Sequence, residues 1–260
     1  LTRQAENPDA DLIIWPEHAL PYDVRKRKKD LAVLTDLCAE AGCVLVIGTK
    51  TDMGPGQKSW RNTALVLDED GVIGEYYKAR PVHFFNDGIP GRSFEPVQTD
   101  LGIFGTPICF DCDYSMVTRR MAQRGATFFT APSFDAESWG RIQHLQHAAL
   151  FRLRAAETGR WLTTAASSGV SQVIDPNGNM HKRLPLMEKG TLSYDIAPRT
   201  GHTLFTKAGW LFPWAAMVAA GIILLYVVSR KMLTGGKIDS QGDTQGTDGS
   251  AEQSDGSSSK

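Results

Sequence analysis

The chain has 260 residues, 42% hydrophobic, 9% aromatic and 22% charged, with 25 glycines and 13 prolines, which excludes collagen-like, wholly disordered and disulfide-scaffold chains. A net charge of −1 lacks the electrostatic footprint of a nucleic-acid binder, so no nucleic-acid partner is expected. Cys38, Cys43, Cys109 and Cys112 are too few for a staple framework; only the last two stand at CxxC spacing, zinc would need two further ligands, and no metal or other cofactor is expected.

The chain opens on Leu1, without a signal-peptide apolar region, and its first element, residues 12–15, reads as a buried strand. It is therefore expected to be the C-terminal part of a longer protein. Apolar runs at residues 12–15, 44–47, 104–108 and 128–131 predict interior strands. Leu31, Leu34, Cys38 and Ala41 share one helical face, and residues 141–157 carry a second helical period. Residues 62–67 and 72–77 flank Asp70-Gly71, a hairpin signal. A second hairpin is expected where 170–174 and 180–184 flank Pro176-Asn177-Gly178. The Arg25 to Lys29 run is read as a solvated helix start. Alternating strands and helices plus hairpins make an α/β domain with mixed sheets over residues 1–207.

Residues 208–229 carry no charge and, at about 1.5 Å per residue, can cross a hydrocarbon core of roughly 30 Å. Trp210 and Trp214 stand near one end as interfacial anchors, and Arg230 and Lys231 close the other. A transmembrane helix is expected over 208–231. Residues 232–260 are mostly Gly, Ser, Asp and Gln and are read as a disordered polar tail.

Three segments hold residues fit for chemistry. IIWPEHALP places Glu17 just past a buried strand, GEYYKARPVHF places Lys78 at another strand end, and GTPICFDCDY places Cys109 between an apolar strand and a helix starting near Tyr114. Ligand-handling groups collect at strand ends of α/β sheets, and a helix N-terminus favours the thiolate. Taken singly, a solvated loop acid, a surface lysine and an inert buried cysteine are the ordinary alternatives.

Together, Trp15-Pro16-Glu17, Tyr76-Tyr77-Lys78 and Ile108-Cys109-Phe110-Asp111, in that order, resemble the Glu-Lys-Cys motifs of the nitrilase superfamily, closest to its apolipoprotein N-acyltransferase branch. The helix QHLQHAALFRLRAAETGRWL, the hairpin after it and the apolar span also match that branch, from about Asp11 to Lys231. The resemblance implies an α-β-β-α sandwich with Glu17 as base, Cys109 as nucleophile and Lys78 stabilising the oxyanion. It further implies a membrane phospholipid as acyl donor and the N-terminal cysteine amine of a lipoprotein as acceptor. The setting it implies is a bacterial inner membrane, with the catalytic domain periplasmic and the tail cytoplasmic.

The chain departs from that pattern at several places. Phe110-Asp111 replaces Tyr-Glu after the nucleophile, Asn86 or Asp87 stands where a glutamate is expected, Trp139 sits in a rearranged loop beside Glu137, and Cys112 is extra. Trp15, Phe110, Asp111, Asn86, Asp87 and Trp139 are the expected substrate-binding or supporting residues. His144 and His147 stand at i, i+3, a spacing that suits metal, but no acidic or cysteine partner is evident in the sequence. They are read as packed or surface histidines. Arg152, Arg154 and Glu157 are read as structural. A membrane-tethered amidase using water as acceptor, and a non-catalytic binding module, are the competing readings.

Overall fold

The computed structural model describes residues 9–54 and 59–235. In β2 (Val44–Asp52) and β3 (Trp60–Asp68), Leu45, Ile47, Leu65 and Leu67 face one way, and Val46, Ala64 and Val66 the other; all are fully buried. Strands buried on both faces need a layer on each side. On one side lies α1 (Lys28–Ala41), whose Leu34 and Cys38 pack on the Leu45, Ile47, Leu65 and Leu67 face. On the other lies a second sheet.

The first sheet has the order β1-β2-β3-β4, with β1 (Leu12–Ile14) parallel to β2, and β3 antiparallel to β2 and to β4 (Gly71–Tyr77). The second runs β10-β9-β8-β7-β6-β5. It is built from β5 (Val97–Thr99), β6 (Gly102–Gly105), β7 (Phe128–Phe134), β8 (Trp161–Ser167), β9 (Gln172–Ile174) and β10 (Met180–Arg183). Its centre, β6-β7-β8, is parallel and its flanks are antiparallel. Val46, Ala64 and Val66 join one apolar cluster with Phe104, Ala131, Leu162 and Ile174 of this sheet. On its outer side, α2 (Ser115–Gln123) and α3 (Arg141–Thr158) pack on each other and on the strands, completing an α-β-β-α sandwich with mixed sheets.

Both expected hairpins form. The strand expected at 104–108 forms only over its first two residues: β6 ends at Gly105, and Thr106 to Ile108 lead unpaired into a 3-10 turn, Cys109–Asp113. Past Gly105 the run is apolar through burial rather than strand pairing.

The contacts divide the chain into two units, Leu1–Gly209 and Trp210–Lys260. In the first, α4 (Leu204–Ala208) is capped by the Thr203 hydroxyl. The second holds α5 (Phe212–Gly235), whose residues Phe212–Leu233 are long and apolar enough to cross a membrane and carry side chains exposed throughout. The apolar helix thus starts later than residue 208, because Pro213 has no N–H to continue a helix from Gly209 and is tolerated only in a first turn. Residues 232–235 remain helical; the rest of the expected tail lies outside the described residues.

Candidate active site

Glu17 follows β1 by a turn that crosses β2 at Gly48. A Cβ at position 48 would lie 2.5 Å from the Pro16 carbonyl oxygen and 2.7 Å from His18 N, and would collide with Glu17 Cα. Only glycine allows this approach. The Glu17 amide then donates across to Ser133 O of the second sheet at 3.3 Å, and His18 takes a left-handed backbone, φ 57°.

Lys78 directly follows β4, its amide donating to Asn62 O at 2.9 Å. Its Nζ lies 2.8 Å from Glu17 Oε1 and 2.7 Å from Asp87 Oδ2, with all three side chains buried. Asn62 Nδ2 donates to the same Glu17 Oε1 and to Asp87 Oδ1, both at 2.6 Å. Val82 N adds a bond to Asp87 Oδ2 at 2.9 Å. Burial by itself would lower the lysine's pKa; the Glu17 and Asp87 carboxylates, joined by Cys109 when it is ionised, outweigh it and raise it, so the ammonium stays charged. A buried ion network of this kind is stable only when its members are all hydrogen-bonded.

Cys109 begins the 3-10 turn with φ 46°, a left-handed conformation that costs a non-glycine residue about 1–2 kcal/mol. Its Sγ donates to Phe134 O at 3.4 Å. Burial and the Glu17 carboxylate push the thiol's pKa up, while Lys78 and His147 pull it down. The turn is anchored from below by Asp111, which accepts from Tyr76 Oη at 2.9 Å, Ile108 N at 3.1 Å and Arg80 N at 2.8 Å. Burial lifts its pKa to about 6 against Lys78 and these bonds. Cys112 is wholly buried, and burial drives its pKa well above the ordinary value.

The two helix histidines have an acidic partner that their sequence neighbourhood hides. His144 Nδ1 lies 3.1 Å from Asp135 Oδ2 and His147 Nδ1 lies 2.7 Å from Asp135 Oδ1, with all three residues buried. The donor atoms of Cys109, Asp135 and His147 lie within 4.8 Å of one another. Burial opposes charge on His147, but Asp135 and Cys109 outweigh it and its pKa is pushed up to about 11. The expectation of partnerless histidines is corrected: the acid and the cysteine come from the β7 end and the 3-10 turn.

These groups share a cavity of about 500 Å³ lined by Glu17, Lys78, Cys109 and His147 and walled by Phe110, Phe134, Trp139 and Leu150. Phe84 and Phe85, 89% and 57% exposed, stand on the cavity lining with Asn86 and Asp87. Of the expected supporting residues, Phe110, Asn86, Asp87 and Trp139 line the cavity. Asp111 lies beneath it, and Trp15 packs instead on the cluster under α1. Sequence reasoning missed His18, Asn62 and Asp135. Glu17, His18 and Asp87 also bring donor atoms within 4.8 Å of one another, as a metal site would. In the second group the Lys78 ammonium already sits between the Glu17 and Asp87 carboxylates, at 2.8 and 2.7 Å.

Residues 1–203 match the Carbon-nitrogen hydrolase family. An apolipoprotein N-acyltransferase of Shewanella oneidensis is 30% identical over 258 residues, covering 87% of this chain and 49% of the relative. One of Geobacter metallireducens is 23% identical over 245 residues, covering 86% of this chain and 47% of the relative. The chain thus spans about half the length of these curated relatives. A carbon-nitrogen hydrolase structure from Helicobacter pylori G27 shares the fold, with TM-score 0.60 and 22% identity over 68% of this chain and 74% of that one.

Proposed function

The chain belongs to the carbon-nitrogen hydrolase family, and from that premise we propose that it is the catalytic part of a membrane acyltransferase working through a cysteine thioester. The observation that carries this is the buried Glu17–Lys78–Asp87 network opening on Cys109 inside an apolar-walled cavity. Glu17 takes the thiol proton, Cys109 attacks an ester carbonyl, and Lys78 steadies the oxyanion. The departing alcohol regains the proton from Glu17. An amine then attacks the thioester, passing its proton through Glu17 to the sulfur.

The relatives' name, apolipoprotein N-acyltransferase, supports acyl transfer to an amine of a lipoprotein, and α5 supports a membrane setting; on this reading the donor is a phospholipid and the acceptor the N-terminal cysteine of the lipoprotein. The aromatic walls suit an acyl chain better than a small polar amide. On this reading the catalytic unit is periplasmic and the chain beyond α5 cytoplasmic, in a bacterial inner membrane.

The test is intact-mass analysis of the full chain in bilayers holding a phospholipid with an isotope-marked acyl chain. The expected result is one acyl adduct, absent in Cys109→Ala, retained in Cys112→Ala, and passed to a peptide bearing an N-terminal diacylglyceryl cysteine. An adduct on Cys112 would sink the assignment of the nucleophile. Decay to free fatty acid with no transfer would favour the hydrolase.

A further inference from the structure

The mechanism above leaves a buried imidazole unused. His147 is 7% exposed, and its Nδ1 is fixed by Asp135 Oδ1 at 2.7 Å. Its Nε2 makes no hydrogen bond among the described residues; Asp113 Oδ1, also without a hydrogen bond, lies 3.4 Å away. The ring is packed edge-on against Phe151 at 5.0 Å and Trp139 at 6.0 Å between centroids, so it cannot swing away. Asp135 is positioned in turn by its own amide, which donates to Ser167 O at 3.1 Å, and by Gly169, where a Cβ would meet its carboxylate at 2.6 Å. A ring nitrogen of His147 lies within 4.8 Å of Cys109 Sγ; a buried imidazole with one nitrogen clamped by Asp135 and no hydrogen bond on the other, beside a thiol, is placed to serve that thiol's chemistry as well as packing.

We propose that His147, held by Asp135, is a catalytic residue whose Nε2–H bonds the Cys109 thiolate whenever that thiolate exists. The thiol's resting bond goes elsewhere, to Phe134 O, which suits a sulfur that still carries its proton. When Glu17 removes that proton, the negative sulfur loses its donor role toward Phe134 and becomes an acceptor; the imidazolium Nε2–H is the donor that it meets. Its place in turnover rests on the acyl-transfer reading, whereas the thiolate–imidazolium pair does not.

In the first half-reaction, the S–C bond forms and the C–O bond to the departing alcohol breaks. The Nε2–H bond to sulfur is released as the thioester forms, and the proton held on Glu17 goes to the alcohol oxygen. In the second, the N–C bond forms, the S–C bond breaks, and the expelled thiolate returns to Nε2–H while Glu17 holds the amine proton. That proton then moves to sulfur. His147 keeps its own protons throughout, so its contribution is to lower the cost of negative sulfur in both directions. The Asp135 carboxylate on Nδ1 raises the pKa of His147 against burial, and the Cys109 thiolate raises it further once formed, so the ring holds its proton when the negative sulfur appears. The groups facing the imidazole are Asp135, Asp113 and Cys109; His144 on the same helix shares Asp135, and Glu17 and Lys78 line the same cavity.

The test is the pH dependence of iodoacetamide alkylation at Cys109, mapped by peptide mass, in the full chain in bilayers. In His147→Gln the inflection should move up by about one pH unit or more, and alkylation near neutrality should slow about tenfold. Asp135→Asn should move it the same way by less. An unmoved inflection in folded His147→Gln overturns the proposal. Should both variants unfold, nitrogen NMR of labelled histidine in the unmodified chain decides. Two protonated ring nitrogens on His147 near neutrality, perturbed when Cys109 is alkylated, support it, and a neutral ring overturns it. Alkylation needs no acyl donor, so a missing acyl adduct with a shifted inflection would fail the acyl-transfer reading and leave this one standing.

Discussion

Glu17 uses one oxygen, Oε1, for both Lys78 Nζ and Asn62 Nδ2, which leaves Oε2 outside those bonds and suited to receive a proton. Glu17→Gln can keep the acceptor but cannot take the proton, so acyl-enzyme formation should fall by about 10²–10⁴-fold with folding retained. Lys78→Ala should cost at least about 10²-fold, and more in stability, since it leaves Glu17 and Asp87 facing each other without a cation. Burst amplitude by intact mass and a thermal melt check both; near wild-type activity in either variant would refute the assigned roles. At this scale the sequence pointed to Glu17, Lys78 and Cys109 because each has a local signature, such as Trp-Pro before Glu17. Asn62 has none: it sits within β3, and its role comes from register against Lys78, set by pairing of β3 with β4. Asp135 was equally hidden, since its bonds to the two histidines form only once the β7 end meets α3.

Among the elements, the crossing of the Glu17 turn over β2 depends on one missing side chain. Gly48→Ala must displace Pro16, Glu17 or His18, because the new methyl meets backbone rather than the tip of a flexible side chain. The expected result is a loss of stability of about 1–3 kcal/mol together with a drop in acylation of about 10²-fold, as befits a base moved by about an ångström. Melts and acylation rates on the same preparation would show both; a variant that loses stability but acylates normally would mean the turn is not what places Glu17. Hairpins were legible because Asp70-Gly71 and Asn177-Gly178 carry their own turn chemistry. The end of β6 was not, because Thr106 to Ile108 are buried in the core without a strand beside them, and burial and pairing leave the same apolar run. The start of α5 was offset because hydropathy continues through Gly209 and Trp210, whereas the missing N–H of Pro213 sets where the helix begins.

For the molecule as a whole, Arg230 and Lys231 just after the apolar stretch favour a cytoplasmic end there by the positive-inside rule, with Lys237 adding to it. Alkaline phosphatase fused after Lys260 should be inactive, and fused within the first unit, active. The reverse pattern would invert the proposed orientation. The sandwich itself has a simpler property: strands β1 to β4 and β5 to β10 each lie in chain order within their own sheet. Each sheet is therefore one continuous stretch of polypeptide, the first paired mostly through local hairpins and the second through helical crossovers at its parallel centre. A ribosome would deliver Glu17, Asn62, Lys78 and Asp87 before Cys109 has been made. Neither stretch alone joins base to nucleophile. A chain nicked in the connection after Lys78 would divide the chemistry between two pieces, and the reactivity of one sulfur would report whether they had found each other.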